Sequence, residues 1–174
     1  STISQLSYII LGAALATTFA LKGASFHIIT HAIGKITLFF CAGAIYVTAH
    51  VKKISELGGL GFKTPMIFFA YTLGALSIIG VPPLIGSWSK LFLVIGSLEA
   101  DFLFVAILLG ISSLLNIYYL LQPVFIAFNK KNIKNIKITN APLTIWPPMI
   151  TGVGCLFLFF FSNYFLNIIN GVVV

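Results

Sequence analysis

Phe26-His27-Ile28-Ile29-Thr30-His31-Ala32-Ile33-Gly34-Lys35-Ile36-Thr37-Leu38-Phe39-Phe40 decides how this chain reads. Two histidines and a lysine recur at i, i+4 and i+8 inside an otherwise apolar run. At 3.6 residues per turn, this spacing puts all three on one helical face. From Ala24 to Ala49 the only other ionisable side chains are Cys41 and Tyr46. The run is long enough to cross a bilayer, which takes about 20 residues. A lysine in the middle of such a helix costs roughly 2.5–3.5 kcal/mol to insert. Ionisable groups at that depth face a protein or water-filled interior and mark functional sites. This face therefore reads as part of a proton path.

The rest of the composition agrees. Hydrophobic residues make up 59% of the 174, charged residues 7%, and the mean hydropathy is +1.10. A soluble domain carries about 25% charged residues, so the chain is expected to be an all-α polytopic membrane protein. The net charge of +7 comes from ten lysines against Glu56, Glu99 and Asp101. The lysines fall mostly in short loops. That pattern fits membrane topology and anionic headgroups rather than nucleic acid. Cys41 and Cys155 lie in apolar runs with no CxxC and read as small buried hydrophobes. Ser1 is not an initiator Met and no charged region precedes the first apolar run, so the chain reads as a piece of a longer protein without a signal peptide.

Outward from the opening stretch, about five transmembrane helices are expected. The first runs over 3–21, with Gly12, Ala13, Ala14 and Ala16 allowing close helix approach and Lys22-Gly23 ending it. The second covers 24–49. The loop His50–Thr64 reads as a solvated connector. Pro65 suits a first helical turn. Gly80-Val81-Pro82-Pro83-Leu84-Ile85-Gly86 then interrupts the helix, because proline lacks the amide donor and its ring clashes with the preceding turn. If 64–99 crosses once, the Lys52/Lys53/Lys63 loop and the Lys130/Lys131/Lys134/Lys137 loop share a side and Glu99 and Asp101 lie opposite, as the positive-inside tendency prefers. One discontinuous helix is therefore expected. The next helix covers 102–128, a basic loop 129–143, and a final crossing 144–170 entered at Trp146-Pro147-Pro148. In that last crossing Phe157, Phe159, Phe160, Phe161 and Phe165 are expected to meet lipid.

Four residues could carry proton chemistry. A buried ammonium at Lys35 can bind or release a proton when its surroundings change slightly. His31 and His27 lie one and two turns away and titrate intrinsically near pH 6.5. Lys90 follows the helix break, and transporters place ion sites at such breaks. On spacing alone it reads equally well as a lysine snorkelling to the interface. Ser112, Asn116 and Tyr119 share a helical face and read first as groups hydrogen-bonding across helices, second as a polar cavity lining. HExxH, paired CxxC and a phosphate-binding glycine loop are all missing, so no metal, cofactor or hydrolytic site is expected.

Ser1-Thr2-Ile3-Ser4-Gln5-Leu6-Ser7-Tyr8, His27 to Ala44, Leu57-Gly58-Gly59-Leu60 and Gly80 to Lys90, in that order, resemble the proton-translocating antiporter-like family. That family includes the large membrane subunits of respiratory complex I and the D and A subunits of Mrp-type cation/proton antiporters. The resemblance runs from Ser1 to about Phe128. It implies that 1–128 is the second of two inverted five-helix repeats, with the first half outside this chain. It further implies that His27, His31 and Lys35 match a central relay, that Lys90 matches the basic residue at the second broken helix, and that Pro82, Pro83 and Gly86 form the break. The segment Lys35 to Ala44, Gly86-Ser87-Trp88-Ser89-Lys90 and Ser113-Leu114-Leu115-Asn116 look most like the D-type branch of the Mrp antiporters, with a complex I proton-pumping subunit as the alternative. The implied protein is a secondary-transporter subunit rather than an enzyme; only within complex I would it be a translocase subunit. No redox cofactor is implied. The implied partners are other hydrophobic antiporter or complex I subunits, the lipid bilayer, protons, and Na+ or K+. The implied location is a bacterial cytoplasmic (inner) membrane. A nonconducting structural remnant is the rival from a different class.

Overall fold

A computed structural model describes residues 1–129, 138–139 and 141–173, with only the backbone of 172 and 173. The described residues are helical and contain no strand. The helices are α1 (Thr2–Leu15), α2 (Thr18–Ala49), α3 (Leu60–Lys63), α4 (Pro65–Ile79), α5 (Gly86–Glu99), α6 (Leu103–Ala127), α7 (Trp146–Phe160) and α8 (Ser162–Val173). Three spans are long and apolar enough to cross a membrane: Thr18–Ala49, Leu103–Ala127 and Pro142–Phe160. The chain is a multi-pass membrane protein. The expected basic loop centred on Lys130, Lys131, Lys134 and Lys137, and Asn140 near its end, fall outside the described residues.

At 1.5 Å per residue, the 32-residue α2 is about 48 Å long. It is the axis on which α1, α4, α5, α7 and α8 pack, while α6 packs on α4 and α5. From Cys41 back to Ala20 along α2, the partners climb steadily through α4 and α5. Cys41 Sγ donates to the Ile67 carbonyl at 3.5 Å. A Cβ at Gly74 would lie 2.9 Å from Thr37, one at Gly34 2.7 Å from Ile78, one at Gly23 2.8 Å from the Leu93 backbone, and one at Gly96 2.3 Å from Ala20. His27 pairs with Ser89 between these groups of contacts. The two helices thus form one interrupted line antiparallel to α2, a single crossing with a break inside it. Ridges this close need glycine at the crossing points.

The break has a defined chemistry. Gly80, at φ 89°, ends α4, and its amide reaches Leu76 and Ser77 while Val81 N–H reaches Leu76. This is a Schellman cap, which uses glycine because its left-handed backbone carries no Cβ penalty. Pro82-Pro83 is cis. The first turn of α5 then closes so tightly on α4 that a Cβ at Gly86 would sit 1.7 Å from the Ser77 carbonyl oxygen. The Ile85 amide freed by the break donates to the Cys155 carbonyl of α7 at 3.1 Å. A backbone donor left bare at this depth would cost several kcal/mol, on the order of what polar groups lose in hydrocarbon.

Four expectations need correction. The first helix ends at Leu15, not Leu21, and the second starts at Thr18, not 24. Ala16 takes the left-handed conformation, and Thr17 caps α2 by accepting from Ala20 N–H at 3.2 Å while donating to the Gly96 carbonyl at 3.1 Å. Gly23 is a packing residue inside α2, where it presses on Leu93, rather than a helix stop. The loop His50–Thr64 is not simply a solvated connector: Leu57, Leu60 and Gly61 are buried, and Gly61 abuts Phe128 and Ala127. The final segment is two helices meeting at Phe161. Phe159 of that segment lies tilted against Trp88 with ring centres 5.8 Å apart and Phe165 packs edge-on against Phe26 at 6.2 Å, so these two rings do not simply face outward, whereas Phe157, Phe160 and Phe161 are exposed.

Gly86→Ala and Gly110→Ala separate close approach from helix propensity. Gly110 has open space around it. Gly86→Ala is expected to lower the thermal stability of the full-length subunit by at least about 1–3 kcal/mol. Gly110→Ala is expected to be neutral or stabilising by up to about 1 kcal/mol. Equal melting temperatures for the two in detergent would contradict this packing.

Candidate functional site

The site lies where α1, α2, α5 and α6 meet beside the break. His27 is 2% exposed. Its Nδ1 lies 3.0 Å from Ser89 Oγ, and Ser89 Oγ donates its only hydrogen to the Gly86 carbonyl at 2.9 Å. A hydroxyl has one proton to give, so the network assigns the His27 proton to Nδ1. That leaves Nε2 as the acceptor, buried and with no hydrogen-bond partner among the described residues. His31 stacks on His27, centroids 6.0 Å apart and planes 7° apart, and its Nε2 is likewise buried and unpartnered. The Tyr8 ring meets His27 edge-on at 5.4 Å.

Lys90 reaches the same point from the other side. Its Nζ donates to Ser113 Oγ at 3.0 Å, while Ser113 donates to the Leu109 carbonyl at 3.0 Å. The same ammonium lies 5.2 Å from the centre of the Tyr8 ring. Its stem passes Gly80, where a Cβ would be 2.7 Å from Lys90 Cδ. That position is the C-terminal end of α4, which favours a cation. The charge is therefore met by a hydroxyl, an aromatic face and a helix end. Glu99 and Asp101, the nearest carboxylates in the sequence, close the far end of α5.

Ser112, Asn116 and Tyr119 join this cluster through Tyr8. Tyr8 Oη and Ser112 Oγ are 2.6 Å apart, Asn116 Nδ2 donates to Tyr8 Oη at 3.3 Å, and Tyr119 donates to Asn116 Oδ1. Asn116 is buried, so each of its bonds replaces water it cannot reach. Lys35 is half-buried, one turn beyond His31. Leu38, at i+3 from Lys35 and so on the same side, packs against the cluster that also takes Tyr119.

The structure thus brings His27, His31, Lys90, Ser112, Asn116 and Tyr119 together, with Lys35 one turn beyond His31 on α2. Pro82, Pro83 and Gly86 form the break beside Lys90. Tyr8, Ser89 and Ser113 are the members that reading the residues alone did not pick out. Tyr8 stands three residues after Gln5 on one face of an apolar helix, and Ser89 precedes Lys90; both signals were present in the chain.

A helical bundle with three spans long and apolar enough to cross a membrane, one of them packed against an interrupted line of two shorter helices, defines a class of multi-pass membrane protein. The family model described as NADH:quinone oxidoreductase/Mrp antiporter, transmembrane region, matches residues 1–116, and the chain belongs to this family. It is 40% identical over 131 residues to the N subunit of NADH-quinone oxidoreductase of Desulforudis audaxviator, covering 75% of this chain and 26% of that protein. It is 31% identical over 127 residues to the D subunit of the Na(+)/H(+) antiporter of Alkalihalophilus pseudofirmus, covering 72% and 26%. The chain spans about a quarter of the length of these relatives. Its fold matches a chain of the Mrp complex from Dietzia with a TM-score of 0.87 at 21% identity, covering 98% of this chain and 40% of that one. It matches a chain of respiratory complex I from Thermus thermophilus with a TM-score of 0.61 at 20% identity, covering 94% and 43%.

Tyr8 ties α1 to three other helices, α2, α5 and α6. Tyr8→Phe removes the hydroxyl that Asn116 and Ser112 use, and is expected to cost about 1–2 kcal/mol. Tyr118→Phe, on the exposed side of α6, is expected to cost nothing. Matched thermal unfolding of the two variants checks this, and an equal loss would contradict it.

Proposed function

We propose that this chain is part of a monovalent cation/proton antiporter subunit and that protons cross mid-membrane through Lys35, His31, His27 and Lys90. The observation that carries the reading is the enclosure of His27 and Lys90 in one polar set with Tyr8, Ser113 and Asn116 beside a helix break. His27 Nε2 is the acceptor in the assigned tautomer. A proton arriving there makes an imidazolium whose Nδ1–H stays on Ser89, and passing it on restores the starting tautomer. Lys90 takes up or gives up one proton while Ser113 holds the amine in place. The gaps between these groups exceed hydrogen-bond length, so bridging water completes the transfer. A Na+ or K+ ion arriving beside Lys90 would repel its ammonium and drive the proton onward.

The remaining assignments belong to the same reading. The residues 1–128 are a second five-helix-type repeat, the partners are other hydrophobic membrane subunits, and the membrane is the bacterial cytoplasmic one. Lys63 shares an end of the bundle with Phe128 while Glu99 lies at the other, by the α1–α2 turn. The positive-inside tendency then puts the Lys52, Lys53 and Lys63 end in the cytoplasm.

A second reading, a proton-pumping membrane subunit of NADH:quinone oxidoreductase, is favoured by the 40% identity to the N subunit of that enzyme. Everted vesicles carrying the full-length subunit in its native assembly separate the two. Antiport predicts a pH change on adding Na+ or K+ without NADH, lost in Lys35→Ala and Lys90→Ala. A pH change that requires NADH favours the second reading. Full cation-driven exchange in both lysine variants would remove these side chains from the path and favour a nonconducting packing module.

A further inference from the structure

Gln5 is the one fully buried side chain in α1 with nothing to bond. It is 0% exposed, and both Nε2 and Oε1 lack a hydrogen-bond partner among the described residues. Burying a carboxamide without partners costs about 1–3 kcal/mol by protein mutational data, so such a group inside an apolar helix calls for a use. Its position follows from the helix register. A Cβ at Gly12 would touch Ala20 and Ala24 at 2.7 Å, and the Tyr8 ring meets His27. The two helices run antiparallel there, so one turn back along α1 from Tyr8 is one turn forward along α2 from His27. This register puts Gln5 at the level of Thr30 and His31. Thr30 is already committed, because its hydroxyl donates to the His27 carbonyl at 3.1 Å. The open polar atom at that level is His31 Nε2, also buried and unpartnered.

We propose that Gln5 is a positioning residue of the proton path, holding His31 in register with His27 through its carboxamide, directly or by one bridging water. The inference rests on the proposed Lys/His path. A carboxamide suits this task because one end donates, the other accepts, and neither binds a proton at physiological pH. It can orient an imidazole or a water in either protonation state without trapping the charge. The titratable groups around this point are His27 and Lys35 on α2, Tyr8 on α1, Lys90 on α5 and Tyr119 on α6. Tyr71 on α4 packs in the Cys41 cluster further along α2, and Cys155 on α7 lies at the break. No carboxylate is among them, so a carboxylate placed at Gln5 would be the first negative charge near His31.

Gln5→Leu and Gln5→Glu, made in the full-length subunit within its assembly, test this with proton flux in vesicles across a pH series. Both keep the side-chain volume, and immunoblotting normalises the flux to assembled protein. Gln5→Leu is expected to slow flux about tenfold per assembled subunit, the rate equivalent of one hydrogen bond, and to change the shape of the pH profile. Gln5→Glu is expected to retain more flux than Gln5→Leu but to move the profile to higher pH, because the new charge favours the protonated imidazole. A purely structural glutamine would alter the assembled amount and leave the profile in place. Wild-type flux and profile in Gln5→Leu, with flux abolished by Lys35→Ala in the same vesicles, would overturn the role of Gln5 alone. Wild-type flux in Lys35→Ala and His31→Ala as well would overturn the path and this inference with it.

Discussion

An ammonium or imidazole at the depth of lipid tails must be surrounded by protein and polar groups, because hydrocarbon offers it nothing. Every unusual feature of this bundle serves that enclosure. Helices have to approach closely enough to shut lipid out, and they do so where Gly12, Gly23, Gly34, Gly74, Gly86 and Gly96 remove a side chain from the contact. The same contacts hold the interrupted line of α4 and α5 straight against α2. The break then brings a helix C-terminus to Lys90 and turns Ser89 toward His27. The first placement is not available to an unbroken helix, whose terminal carbonyls would lie at its far end.

The terminal helices complete the enclosure although the family model ends at residue 116. The Cys155 carbonyl takes the amide that the break leaves free, Phe159 covers Trp88, and Phe165 and Ile169 close over Phe26. Cys155 is itself titratable, and Phe159 lines the cavity at the break that Lys90 and Ser113 also line.

The fold class and the broken helix were legible because each leaves a local trace, and the four titratable residues proposed for the path stand out in the same way. A lysine inside an apolar run is conspicuous, and so are adjacent prolines between glycines. What failed were inferences from local punctuation alone. Lys22-Gly23 looks like a helix end, yet Leu93 of a distant helix claims Gly23, and the true turn at Ala16-Thr17 has no glycine or proline to mark it. The loop near Leu57 and Leu60 is polar in composition but covers the end of the core. Phe159 and Phe165 sit in a run of aromatic residues that cannot be sorted into inward and outward without knowing that the helix changes direction at Phe161. The roles of Tyr8, Ser89 and Ser113 were hidden for a similar reason. Each bonds a residue in another helix, and the distance in sequence from Tyr8 to Ser112 is 104 positions.

The central claim is that the titratable groups share one wetted interior. The most direct measurement is a structure of the full-length subunit in its assembly, at a resolution that resolves ordered water. The account predicts water density joining Lys35 Nζ, His31, His27 Nε2 and Lys90 Nζ without an interruption longer than about two hydrogen-bond lengths. A dry, apolar gap between Lys35 and the histidines, with the Lys35 side chain lying among acyl chains, would contradict it.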